Sequence, residues 1–345
     1  MNLYDDKGYL NIPLILDVIK TPWVLFIGGR GTGKTYPCLK YLIESHIKFF
    51  FLRRTHVQFD VITRKEFSPF KRLNYDMGWG YGFEKTSKYL AVCKNLLEDK
   101  EESEIVGYAG ALSTISNIRG FDAYDVEFIL FDEYIPEPHE KKIVKEGFAF
   151  LNAYETINRN RELEGKPPVR MVGLTNSNDI SNPIFQELKL VNIAKRMMDK
   201  KQEIYINDKR GLSIIYPQNS PISKKKASTT LYKLVGENSD FSEMSLGNRF
   251  EVDTTSIISS RPIKEYRPIV KLGEVVIYAH RSRSELYVSK MNAGGIPTYP
   301  PTNVGVEKFK KGFFWIWEFY LNGTMIFEDY DCEILLTSYL GKNII

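Results

Sequence analysis

Four short runs of consecutive apolar residues punctuate the first half of the chain: "WVLFI" (23–27), "KFFFLRR" (48–54), "VEFILFD" (126–132) and "VRMVGLT" (169–175). None alternates polar with apolar, so each predicts a strand buried on both faces. Between them lie segments with helical spacing, such as "YPCLKYLIESH" and "IVKEGFAFLNAYETINRNRE". Strands alternating with helices predict an α/β fold: a mostly parallel sheet with helices on both faces. Beyond residue 200 the texture changes. "KRMMDKKQEIYINDKR" and "SPISKKKASTT" are charged, polar and poor in strand-like runs. The pattern therefore divides the chain into an α/β domain over 1–205, a linker region over 206–255 and a smaller α/β domain over 256–345. In the last, "EVVIYAH", "SELYVSK" and "GTMIFED" predict strands and "CEILLTSYL" a final helix.

Composition changes this picture little. At 345 residues and 43% hydrophobic, the chain supplies one substantial core and one smaller. Cys38, Cys93 and Cys332 are odd in number and far apart, and the four histidines are equally scattered, which excludes a disulfide framework and a zinc site. A reducing, cytoplasmic setting is expected. No apolar stretch approaches the ~20 residues of a membrane span. The start "MNLYDDKGYL" lacks the basic and apolar regions of a signal peptide.

The net charge of +4 is unevenly spread. Arg261 to Lys311 contain ten Lys or Arg against four Glu, an excess of six. A polyanion partner and a solvated basic surface both satisfy that excess.

The chemistry begins where the first apolar run ends. In "FIGGRGTGKTYP", Gly28, Gly29, Arg30, Gly31, Thr32, Gly33, Lys34 and Thr35 form a G-x-x-x-x-G-K-T pattern between a predicted strand and a predicted helix, the context a phosphate-binding P-loop requires. Glycines let the backbone wrap closely round phosphates with its N–H groups inward, and the helix N-terminus adds a positive end. Lys34 would sit on the β and γ phosphates of ATP, and Thr35 would offer its hydroxyl to Mg2+.

A second run ends in paired acids. "EFILFDEYIP" delivers Asp132 and Glu133 at the C-terminal end of a predicted strand, the edge where ligands bind in open α/β sheets. Asp132 would hold the metal and Glu133 would deprotonate the attacking water. The second acid leans toward hydrolysis. Such a reaction also uses a cation on the developing charge and a γ-phosphate sensor. Arg159 and Arg161 in "INRNRE" are candidates for the first, and Thr175 with Asn176 in "LTNSND" for the second.

Taken together, "GGRGTGKT", the "LRR" of the second strand, "FDEY", "NRNRE", "LTNSNDISNP", "SEMSLGNRF" and "YLNGTMIFED" resemble the DNA-packaging ATPases of phi29-like tailed phages, relatives of the terminase large subunits, nearly from end to end. The P-loop and acid motifs are general to P-loop motors, whereas "NRNRE" and "SEMSLGNRF" are specific to this family. The resemblance implies a RecA-like P-loop NTPase domain of the ASCE class. It also implies a homo-oligomeric ring, commonly of five, at the portal vertex of a procapsid in the host cytoplasm. The ring would drive double-stranded DNA inward, in some relatives with a structural RNA. It places an arginine finger, acting on the neighbouring subunit, at Arg159 and a basic residue of the inter-subunit site at Arg119. His56 stands where the family is expected to have lysine. The second domain is similar to the RNase H-like nuclease of terminases. Its strand carboxylates are Glu274, Glu285, Glu328, Asp329 and Asp331, but the expected first-strand aspartate is missing and His280, Arg281 and Arg283 stand nearby. These three, with Lys271, are candidates for binding nucleic-acid phosphates. The aromatic "GFFWIWEFYLNG" reads as core packing. A motor with a working nuclease and a non-translocating ATP-binding scaffold are the alternatives.

Overall fold

Each of the four apolar runs forms a strand of one sheet, with side chains buried on both faces. Phe49, Phe50, Phe51 and Leu52 have no exposure at all, the expected condition of a central parallel strand covered on both sides. The computed structural model describes every residue except 98–102, 119, 138–139, 141–142, 219, 237–238, 251–256 and 341–345. The chain divides into two units, Met1–Glu251 and Val252–Ile345.

Among the described residues the sheet of the first unit holds β1 (Trp23–Ile27), β2 (Phe49–Arg53), β3 (Tyr81–Lys85), β4 (Ala91–Asn95), β5 (Gly107–Ala111), β6 (Phe128–Asp132), β7 (Arg170–Thr175), β8 (Ile204–Asn207) and β9 (Leu212–Ile215). Their order is β3-β4-β5-β2-β6-β7-β1-β9-β8. The six strands from β5 to β9 run parallel, with β4 and β3 added antiparallel at one side and β8 at the other. β7 separates β1 from β6, so the glycine-rich loop after β1 and the acids after β6 flank β7's C-terminal end. Helix Thr35–Glu44 buries Cys38, Leu39, Leu42 and Ile43, the three-and-four spacing its sequence predicts. Helix His56–Ile62 is opened by a capping box between Thr55 and Gln58.

Two expectations are corrected. The stretch read as a linker carries β9, fully buried and paired in parallel with β1, with β8 immediately before it and three short helices, Pro221–Ala227, Thr230–Val235 and Asp240–Ser245, after it. "LSII" is only four residues long, and its strand conformation comes from docking beside β1. The long helical segment from 143 to 162 is helix only over Glu146–Asn158. Arg159 ends it with φ +46, so Arg161 lies in the turn beyond.

In the second unit β10 (Tyr266–Leu272), β11 (Val275–His280) and β12 (Leu286–Ser289) form an antiparallel meander. β13 (Thr298–Tyr299) adds in parallel to β10, and β14 (Met325–Phe327) in parallel to β12. Helices Asn303–Phe313, Ile316–Leu321 and Tyr330–Leu340 complete it. In the aromatic stretch Ile316 and Trp317 are core residues, while Phe314 and Trp315 are exposed.

Candidate active site

The loop Gly28–Thr35 leaves β1 and enters helix Thr35–Glu44 as its pattern requires. Gly28 N–H donates to the Thr175 carbonyl at 3.0 Å, tying the loop's start to the end of β7. Thr32 Oγ1 donates to the Gly29 carbonyl at 3.0 Å. The Lys34 ammonium donates to the carbonyls of Gly28 and Gly29 at 2.9 and 3.0 Å and to Asn176 Oδ1 at 3.0 Å. Burial lowers its pKa to about 8 against the opposing pull of Asp132 and Glu133. Its acceptors are all neutral, so an anion in the loop would satisfy it better.

Packing against backbone explains Gly29 of the loop, and a left-handed conformation explains Gly31. At Gly29 a Cβ would stand 2.5 Å from the Ser245 carbonyl oxygen. Gly31 has φ +74, and a Cβ there would stand 2.6 Å from Lys226 Nζ. Both neighbours come from the stretch read as linker, which packs directly on the loop. Asn248 of the same stretch donates from Nδ2 to the Ile27 carbonyl at 2.9 Å.

The acids face the loop across β7. Thr35 Oγ1 donates to Asp132 Oδ1 at 3.0 Å, so the hydroxyl and carboxylate proposed for one metal are neighbours. Hard oxygen donors of this kind, alongside substrate phosphates, suit Mg2+. Among the described residues no three His, Cys, Asp or Glu side chains converge on a metal position, which leaves phosphate and water oxygens to complete such a shell. Asp132 is buried and its pKa is raised, chiefly by burial, with Arg53 the largest opposing influence. Glu133 has φ +57, a conformation few non-glycine residues adopt. Its N–H is held by the Leu174 carbonyl at 2.8 Å, while its side chain is half exposed. Beside Asn176 a small cleft of about 20 Å3 is lined by Glu133, Ile135, Glu137, Glu140, Thr175, Asn176 and Asn178.

Sequence reasoning missed Arg53 as a site residue. Its Nη1 donates to Asp132 Oδ2 at 2.8 Å and its Nη2 pairs with Glu133. The "LRR" of the resemblance was the available signal. The next residue, Arg54, is fully buried and grips Glu146 through two bonds of 2.5 and 2.9 Å. Arg30, within the loop, pairs with Glu137.

The arginine candidates lie elsewhere. Arg161 is nine-tenths buried and bonds the carbonyls of Tyr124, Val126 and Pro167. This corrects its expected role, because a brace beneath β6 has no guanidinium free for a neighbour. Arg159 is exposed and donates to the Phe121 and Thr156 carbonyls. Val126 and Phe121 precede β6, so Arg159 sits at the end of that strand opposite Asp132. Arg119 lies outside the described residues. His56 Nε2 is 3.6 Å from Asp60 in its own helix.

In the second unit His280, Arg281 and Arg283 gather round Glu265. His280 and Arg283 approach its carboxylate at 3.7 and 3.8 Å, and Arg281 N–H bonds its carbonyl. Pairing of Tyr266 with His280 and of Lys271 with Val276 sets Lys271 at the other end of the β10–β11 hairpin, where it bonds Asn292. The four candidates therefore do not form one patch. Four of the five carboxylates are engaged locally: Glu285 with Tyr266, Glu328 with Ser289, Asp329 with the Cys332 N–H and Asp331 with Lys290.

Comparison with known proteins gives a consistent answer. Residues 15–269 match the family model of the podovirus DNA encapsidation protein (Gp16). Among solved structures, the chain is similar to the Phi-28 gp11 DNA packaging motor, at TM-score 0.61 and 19% identity over 96% of this chain and 97% of that one. It is also similar to the bacteriophage Phi-29 viral genome packaging motor assembly, at TM-score 0.63 and 17% identity over 96% and 99%. At these identities the likeness establishes the fold. A search of the curated proteins gave no match.

Proposed function

Because this chain belongs to the podovirus DNA encapsidation protein family, we propose that it is the ATP-hydrolysing motor of genome packaging, translocating double-stranded DNA into a procapsid. The observation that carries this reading is the convergence of Lys34, Thr35, Asp132, Glu133 and Asn176 at the C-terminal edge of β1, β6 and β7.

In this reading the loop N–H groups and Lys34 bind the phosphates of ATP, and Thr35 with Asp132 would hold Mg2+, which neutralises phosphate charge when bound. A water molecule attacks the γ phosphorus, the bond to the β–γ bridging oxygen breaks, and the water's proton passes to a Glu133 carboxylate oxygen. The half-exposed Glu133 side chain suits that task. Asn176, whose Oδ1 accepts from Lys34, would donate from Nδ2 to a phosphate oxygen and so report the γ position to β7.

Arg159 supplies the cation on the developing charge, in a neighbour's site. Its placement toward the end of β6 opposite Asp132 supports this, as does its lack of a carboxylate partner among the described residues. The working assembly is then a homo-oligomeric ring, of five subunits as the resemblance implies, at the portal of a procapsid in the host cytoplasm. In the second unit Lys271, His280, Arg281 and Arg283 contribute phosphate contacts without sequence preference.

The test is ATP hydrolysis across a protein concentration series, with and without double-stranded DNA, and with Arg159→Ala mixed into wild type. Steep concentration dependence, DNA stimulation and a disproportionate loss on mixing are expected. Full activity in a strictly monomeric sample would overturn the shared site.

A further inference from the structure

Three cations surround the loop 28–35 and the motif accounts for one of them. Lys34 is bonded within the loop, and Arg30 is committed to Glu137. The third is Lys226, the third lysine of "SKKKA" in helix Pro221–Ala227. Its Nζ donates to the Arg30 carbonyl at 2.6 Å and lies over the Tyr232 ring at 5.9 Å. Gly31, left-handed at φ +74, lies beside that ammonium, its Cβ position 2.6 Å from Nζ.

Lys226 is half-buried, and both burial and the Arg30 charge lower its pKa. Among the described residues no carboxylate pairs with it. Lys34 feels it as a repelling charge. Two partly desolvated ammonium groups are thus held on one loop with neutral carbonyls as their principal acceptors, an arrangement that an anion between them would relieve. The neighbouring Lys224 and Lys225 are exposed and solvated, so position, and not the lysine run, distinguishes Lys226.

We propose that Lys226 is a second phosphate-contacting cation of the nucleotide site, supplied in cis by helix Pro221–Ala227 to the terminal phosphates of a bound nucleoside triphosphate. This rests on reading 28–35 as a nucleotide phosphate loop. It makes the helices that follow β9 part of the site, so that the charge of the bound nucleotide sets how firmly they hold the loop.

Fluorescence titration of the full chain with N-methylanthraniloyl-labelled ATP and ADP tests it, using wild type, Lys34→Ala, Lys226→Gln and Lys226→Arg, each first shown to be folded by circular dichroism. Lys226→Gln is expected to weaken ATP about tenfold, the size of one charge-assisted contact, with a smaller loss for ADP. Lys226→Arg is expected to restore most of the affinity. Wild-type ATP affinity in Lys226→Gln, or equal losses for ATP and ADP, would overturn the proposal while a loss in Lys34→Ala leaves the loop reading standing. Unchanged binding in Lys34→Ala would bring down both.

Discussion

Arg53 Nη1 stands 2.8 Å from Asp132 Oδ2, because β2 and β6 pair in parallel with Leu52 opposite Phe131 and the next residue of each strand reaches the same edge. The pairing opposes the burial that raises the Asp132 pKa. A carboxylate must be ionised to hold a metal, so Arg53 favours the form of Asp132 that such binding needs. Arg53→Gln removes the stabilising cation and is expected to move the acid limb of ATP hydrolysis to higher pH, with a lower maximal rate. A pH–rate profile of both proteins checks it, and coincident acid limbs would show that Arg53 does not govern Asp132.

Burial lowers the Lys34 pKa to about 8. Phosphate beside it favours the ammonium, so binding raises that pKa and takes up a proton whenever the free group is neutral. ATP affinity should be flat below pH 8 and fall about tenfold per unit above it, up to the raised pKa of the complex, the slope of one linked proton. Calorimetry at pH 8.5 in two buffers of different ionisation enthalpy should show the uptake. Identical heats in both buffers would contradict it.

Arg54 and Glu146 form an ion pair with side-chain exposures of 0% and 1%, joining the end of β2 to the first turn of helix Glu146–Asn158. Removing one partner strands the other charge. Arg54→Met is expected to cost about 3–5 kcal/mol in urea unfolding. Combining it with Glu146→Leu should recover part of that loss. Additive losses would show that the two residues act separately.

All three cysteines are buried. Burial raises the thiol pKa of Cys38 and Cys93, and pushes Cys332 up to about 12. A thiol reagent at pH 8 should therefore label the folded chain at least about a hundredfold more slowly than free cysteine. Saturating ATP should slow Cys38 further, since that residue lies in the first turn after the loop and nucleotide stabilises the folded state. Rapid labelling of Cys38 without unfolding would refute the burial.

Much of the site is written in consecutive residues. A loop that must wrap phosphates needs its glycines, lysine and threonine within eight positions, and an acid pair at a strand end needs an apolar run before it. Both signals are local, so "GGRGTGKT" and "FILFDE" disclose them with the strand and helix that carry them. Lys226 left no such trace, and Arg53 and Asn248 showed only as members of the motifs "LRR" and "SEMSLGNRF". Arg53 meets Asp132 through the register of two strands 79 positions apart, and Lys226 meets Arg30 across 196.

The sequence by itself determined the four central strands, the glycine-rich loop between β1 and its helix, the acid pair at the end of β6 and the two-part organisation, because each follows from hydrophobic period or motif spacing within one segment. Only the tertiary structure decided that 206–251 completes the first unit, that Arg161 is a buried brace, and that Lys226 joins the loop. β9 is four residues of weak pattern until β1 offers its edge, and an arginine's neighbours are set by which loops the fold brings beneath it. Such outcomes depend on long-range packing, which competes with local propensity and here overrides it.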